Sequence, residues 1–181
     1  FDPTQKLTAR EIVNRWPGRE IERVLREYGE ERYSRRVTKG IIEARKRKPI
    51  ITTFDLIKII KMAVPRNYER GRINPATRTF QALRIQVNQE LENLKEVLSQ
   101  AFEILKNRGR IVVISFHSLE DRIVKNFFRD SYLPSRPSII PPFHPKIELK
   151  ILTKKPIRAS QEEIKRNPRA RSAKLRAAEK V

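Results

Sequence analysis

The chain contains no cysteine, so disulfides and thiolate metal sites are excluded and a reducing compartment is the default expectation. Glycine is scarce. The five present, Gly18, Gly29, Gly40, Gly71 and Gly109, lie too far apart to build a phosphate-cradling or dinucleotide-type loop. No apolar run approaches the ~20 residues that span a bilayer, and the first residues lack the basic-then-apolar order of a signal peptide. A soluble, cytoplasmic protein is therefore expected. Only two histidines occur, His117 and His144, and neither has carboxylates at ligand spacing, so no metal site is expected. Acidic residues are also short: 21 Asp+Glu face 41 Lys+Arg, for a net charge of +20 over 181 residues. A folded chain this basic repels itself unless it meets a polyanion, and nucleic acid is the first candidate. A lysine-rich thermophilic surface would raise glutamate in parallel, which is not seen here. At 38% hydrophobic residues the chain is apolar enough to bury a core.

Residues 7–64 read as four short helices. Thr8 caps the first, with Ile12, Val13 and Trp16 inward and Pro17-Gly18 ending it. Ile21, Val24, Leu25 and Tyr28 mark the second, and Tyr33, Val37 and Ile41 the third, which leaves through Arg45-Lys46-Arg47-Lys48. Thr53 is expected to cap the fourth, with Leu56, Ile57, Ile60 and Val64 inward. Residues 66–75 read as a basic linker. From Ala76 a single long helix toward Asn107 is expected from the stripe Phe80, Leu83, Val87, Leu91, Leu94, Leu98, Phe102 and Leu105. Arg110–Ser115, a β-branched run between a turn and a helix start, predicts a strand buried on both faces, as in a parallel sheet. Ser118, with Asp121 three residues on, resembles a capping box for the next helix. Five prolines predict an irregular loop over 131–146, Ile147–Leu152 a strand, and Ser160 a helix cap; Arg171–Val181 reads as a basic, Ala-rich tail. One parallel-type strand cannot form a sheet, so an incomplete α/β domain is expected.

Three places carry possible chemistry. Asn74, Thr77, Arg78, Thr79, Gln81 and Arg84 gather at the start of the long helix, where unpaired amides favour an anion and arginines fork onto phosphates; the plainer reading is a cap with solvated arginines. Ser115 and His117 stand at the carboxyl end of the strand, where ligands collect in open α/β sheets, and a proton relay there competes with a purely structural histidine. Ser118 and Arg122 follow on the next helix. Arg169, Arg171 and Lys174 alternate with small residues, a spacing suited to tracking an RNA backbone.

The strings INPATRTFQALRIQVNQEL (73–91), GRIVVISFHSLEDRIVKNFF (109–128) and NPRARSAKLRAAEK (167–180) resemble signature segments of the H-type family of ribosomal RNA methyltransferases. LTAREIVNRW (7–16) and REYGEERYSRRVTKGIIEAR (26–45) are similar to that family's helical insertion. The resemblance implies a partial Rossmann-like α/β core with a helical insertion domain, and S-adenosylmethionine as donor. The substrate it implies is N4 of a cytidine in small-subunit ribosomal RNA. It implies residues 1–66 as the helical substrate-side subdomain and residues 67–181 as the C-terminal part of the methyltransferase core with its basic tail. The chain would be a C-terminal, RNA-facing portion, inactive alone. The family's Gly-rich loop, ribose-binding acid and Asp-Leu-Gly strand end have no counterpart, so no cofactor-contacting residue is assigned; a missing N-terminal segment or a partner chain would supply the donor pocket. Ser115 and His117 are the catalytic candidates implied; Asn74, Thr77, Arg78, Arg84, Ser118, Arg122, Arg169, Arg171 and Lys174 are those for RNA. Phe80, Phe116 and Tyr68 are candidate stacking platforms for an unpaired base. The alternative is a non-catalytic RNA-binding or ribosome-assembly protein of the same fold.

Overall fold

The computed structural model describes residues 6–68, 74–131 and 149–181. The chain divides into two compact units, Phe1–Glu90 and Leu91–Val181.

The first unit is helical: α1 (Ala9–Arg15), α2 (Gly18–Glu27), α3 (Ser34–Arg47), α4 (Thr53–Ala63) and α5 (Thr77–Asn88). The Thr8 hydroxyl accepts the Glu11 amide at 3.1 Å and starts α1, and Pro17 forces the residue before it out of helical geometry. Helix α4 starts on Thr52 rather than Thr53, because only Thr52 stands three residues before an acid. Its hydroxyl and the Asp55 carboxylate close a reciprocal box. The inward residues Ile12, Ile21, Val24, Leu25, Val37, Ile41 and Ile60 are fully buried in one core, each contributing about 1.5–3 kcal/mol of burial. Polar side chains join the helices as well. Asn14 exchanges two 2.8 Å hydrogen bonds with the Ile50 backbone, and Arg45, from the cationic run, turns inward to donate to the last carbonyls of α1 at Val13 and Trp16. The unit extends to Glu90 because α5 packs on α1 and α2.

The expected continuous helix from Ala76 to Asn107 is two helices. Gln89 is left-handed (φ 51°, ψ 38°) and separates α5 from α6 (Glu90–Ile104). Apolar spacing records which residues face inward, and the stripe persists through Leu83, Leu91 and Leu98 even though one residue between them leaves helical geometry. Local bonds close around the break. The Arg84 guanidinium forks onto the Glu90 carboxylate at 2.8 and 3.0 Å, and the Asn88 amide donates to the Arg84 carbonyl and to Glu90.

The second unit adds β1 (Arg110–Ser115), α7 (Ser118–Asp130), β2 (Leu149–Ile151), α8 (Gln161–Arg166), a 3-10 turn (Pro168–Ser172) and β3 (Lys174–Lys180). The sheet order is β1-β3-β2 and both pairings are antiparallel; β1 and β3 run from Arg110↔Glu179 to Ser115↔Lys174. Two expectations are corrected. The segment read as a basic tail is the central strand, since Leu175 and Ala177 alternate with Lys174 and Arg176, whose side chains find partners, and Ala178 packs into the core. The strand expected to be covered on both faces is covered on one, among the described residues. Ile111, Leu149 and Ala178 pack with Leu98 and Phe102 of α6 and Val124 and Phe128 of α7. On the other face Val112 and Ile114 stay 56% and 54% exposed. A β-branched run reports strand geometry but not how many layers lie against it. Lys180 closes the end of α6, its ammonium donating to the Phe102 and Leu105 carbonyls at 3.1 and 2.7 Å. The expected strand over Ile147–Leu152 is observed as Leu149–Ile151. Residues 147–148, most of the proline-rich stretch, His144 and residues 69–73 of the basic linker lie outside the described residues.

Candidate functional site

At the carboxyl end of β1 the chain turns directly into α7, and the turn is fixed by one carboxylate. Glu120 accepts the Phe116 amide at 2.8 Å and the His117 amide at 3.2 Å, while the Glu120 amide donates to His117 Nδ1 at 3.3 Å. His117 is therefore the cap of α7, one residue earlier than the expected Ser118, and Glu120 replaces Asp121 as the reciprocal acid. The register is decided by competition: Asp121 is engaged elsewhere. With Nδ1 accepting, the imidazole proton belongs on Nε2, which lies 3.4 Å from Glu120 Oε1. A carboxylate thus does stand beside His117, contrary to expectation, and it orders the cap. Ser115 is buried and its hydroxyl donates to the Lys174 carbonyl at 3.3 Å. Phe116 points outward, 54% exposed.

Behind this turn Asp121 receives Arg176 at 2.7 and 3.3 Å and Lys174 at 3.4 Å. Burial alone would raise the Asp121 pKa; the hydrogen bond and charge of Arg176, then the charge of Lys174, outweigh it and hold the carboxyl below its usual range. Arg176 was not picked out from the sequence, and Asp121 was read only as the acid of a capping box. The signal available was the acidic pair Glu120-Asp121 directly after a strand end. Arg122 is exposed on α7, and Arg169 and Arg171 are exposed on the 3-10 turn that leads into β3. Ser115, His117, Ser118 and Lys174 thus meet in this unit at the β1–α7 junction and the start of β3.

The other nominated residues lie in the helical unit, at the start of α5. Asn74, Thr77, Phe80, Gln81 and Arg84 line, with Ile57 and Ala76, a pocket of about 420 Å3. The Asn74 side-chain oxygen Oδ1 accepts the Ala76 amide at 3.0 Å. Phe80 and Ile57 are half-buried and form the apolar floor. Arg84 is held by Glu90. Arg78 is half-buried and Nη1 donates to the Glu30 carbonyl at 3.2 Å, while Gln81 donates to the Tyr28 carbonyl at 3.3 Å. These bonds fasten α5 to the end of α2, where a Cβ on Gly29 would lie 2.7 Å from the Arg78 carbonyl, so only glycine fits. Thr79 is no cap: it is fully buried. Tyr68 faces inward also, its hydroxyl donating to Glu31 at 2.9 Å and its ring meeting Tyr33 edge-on at 5.0 Å.

A nucleoside-type methyl donor would need backbone left open by missing side chains, and the described glycines do not offer it. A Cβ on Gly18 would meet Ile42, on Gly40 Ile59, and on Gly109 Leu105 and the Lys106 carbonyl. All four described glycines serve internal packing. The described glycines therefore offer no Gly-rich cradle for such a donor.

A mixed α/β protein with a small antiparallel sheet, a helical unit and a polar strand end beside exposed cations is the class these features define. The chain belongs to the MraW methylase family, whose model matches residues 1–181. It is 52% identical over 187 residues to the ribosomal RNA small subunit methyltransferase H of Caldicellulosiruptor saccharolyticus, covering all of this chain and 59% of that protein. The similarly named proteins of Persephonella marina and Synechocystis are 48% and 51% identical, with 58% and 53% of their lengths covered. The chain therefore spans a little over half the length of the relatives it matches. No helix among the described residues is long and apolar enough to cross a membrane.

Proposed function

We propose that this stretch is the RNA-facing part of an S-adenosylmethionine-dependent methyltransferase acting on N4 of a cytidine in small-subunit ribosomal RNA in the cytoplasm. The observation that carries this is the β1–α7 junction: a locked turn ending in an outward aromatic, with Arg122, Arg169 and Arg171 exposed in the same unit. The exocyclic amine of cytosine is conjugated with its ring and is a poor nucleophile. A catalyst gains most by holding it at a fixed angle and accepting its hydrogens. On one wall of such a site Ser115 is the acceptor, since its hydroxyl keeps lone pairs after donating to the Lys174 carbonyl. His117, with both ring nitrogens engaged at the α7 cap, positions it, and Glu120 fixes the turn. Phe116 offers a face for the unpaired base, and Asn74, Thr77, Arg78 and Arg84 the helical-side RNA contacts, with residues 1–66 as the insertion. The donor is held by the part of the family's length that this chain does not span, or by a partner chain. Support for that comes from β1, whose second edge and apolar outer face (Val112, Ile114) suit the addition of further strands of a Rossmann-like sheet.

The packed glycines also favour a second reading, a non-catalytic RNA-binding or assembly protein. Incubating small-subunit RNA and methyl-labelled S-adenosylmethionine with this chain together with the donor-holding part of the family's length separates the two. Methylation at N4 of one cytidine is expected, with Ser115→Ala lowering turnover more than RNA affinity. RNA bound but unmethylated would sink the catalytic reading.

A further inference from the structure

Helix α4 contributes Leu56 and Ile60 to the helical core, yet its opposite face carries two of the most exposed apolar side chains among the described residues, Phe54 at 73% and Met62 at 86%. The spacing 54, 58, 61, 62 places Phe54, Lys58, Lys61 and Met62 on one side of the helix, with about 12 Å along the axis between the first and the last. Both lysines are exposed. Asp55 is the sole acid in α4, and its carboxylate is turned back to the Thr52 amide and hydroxyl at 3.1 and 2.7 Å, away from the partner-facing role an acid would have there. Lys48, exposed at the end of α3, is close enough to influence Asp55 electrostatically. Ile57, one turn from both Phe54 and Lys61, lines the pocket at the start of α5.

We infer that this face of α4 is a stacking and phosphate-binding surface for single-stranded RNA, with Phe54 under a base and Lys58 and Lys61 on the flanking phosphates. The inference rests on the RNA-facing reading above and extends it to a surface outside the strand-end site and outside every residue assigned to RNA so far. Charge decides the occupant. Exposed apolar side chains with two cations between them, on a chain of net charge +20, suit a polyanion that also carries flat apolar faces. Single-stranded RNA has both, and stacking on one aromatic tolerates any base. A duplex hides its faces and would use the lysines alone.

The test compares binding of the purified protein to a fluorescein-labelled single-stranded RNA of about twelve nucleotides and to the same sequence as a duplex. Phe54→Ala is expected to weaken single-strand binding about tenfold and to leave duplex binding unchanged, while Phe54→Trp retains both. Lys58→Ala/Lys61→Ala should reduce the slope of log affinity against log salt by about 1.4, two contacts of about 0.7 each. Because Phe54, Lys58 and Lys61 are exposed, the thermal transition should not move. Wild-type affinity in all the α4 variants overturns this surface while leaving the RNA-facing reading intact. Absence of RNA binding by the wild type overturns both. A Phe54→Ala/Met62→Ala variant that dissociates a dimer and binds RNA normally identifies the face as a contact between copies and overturns the inference.

Discussion

Asp121→Ala is expected to destabilise the protein by about 2–4 kcal/mol at pH 7, because it leaves Arg176, only 8% exposed, as a buried charge without its carboxylate. The same change frees Lys174, which pairs with Ser115 across the β1–β3 ladder, so the damage reaches the turn that presents His117. The sign of the pH dependence follows from the depressed carboxyl. In the folded protein the Asp121 pKa lies below the unfolded value of about 3.9, so its contribution is complete above that value and is lost as pH falls through the folded pKa. Urea denaturation midpoints at pH 7 should therefore differ clearly between wild type and variant, and the gap should narrow below about pH 4. A gap that is constant between pH 7 and pH 3 would remove the ion pair as its cause. Asp121→Asn, which keeps the shape but not the charge, should fall between the two.

Salt should act even more strongly on RNA affinity. If about six cations neutralise phosphates of a single strand, the slope of log affinity against log salt is about −4, and raising salt from about 50 to 200 mM weakens binding on the order of 300-fold. Arg171→Ala, at an exposed position of the 3-10 turn, should lower the slope by about 0.7 and leave stability alone. Arg78→Ala should behave differently, since Arg78 is half-buried and bonded to the Glu30 carbonyl; part of its effect will appear in the denaturation midpoint. A shallow slope, near −1 or flatter, would mean that the positive charge is not directed at a polyanion.

How far these features could be read from the sequence varied with the physics behind each. The first four helices, α1 to α4, were legible because an apolar stripe and a cap are local signals, and Ile12, Ile21, Val37 and Ile60 are inward as their spacing requires. Caps moved by one residue at Thr52 and His117, since adjacent hydroxyls and acids offered two registers, and Asp121 chose Arg176 over the helix end. The break at Gln89 was not legible: a left-handed residue without glycine or proline leaves the periodicity almost untouched. Strand β3 was hidden for a different reason. Lys174, Arg176 and Lys180 look solvated in sequence, but each is matched by a non-local partner, Asp121 or the end of α6. Of the candidate site, the start of α5 and the end of β1 were both visible as clusters of polar residues, whereas Glu120, which locks the second, became evident only through its three backbone and side-chain contacts.

The central claim is the division of labour proposed above, in which this stretch holds RNA and the methyl donor is held elsewhere. Calorimetric titration of the 181-residue chain with S-adenosylmethionine, and separately with single-stranded RNA, tests it directly. The account predicts salt-sensitive heats with RNA and none attributable to a stoichiometric site with the donor. Tight one-to-one donor binding, or RNA binding indifferent to salt, would contradict it.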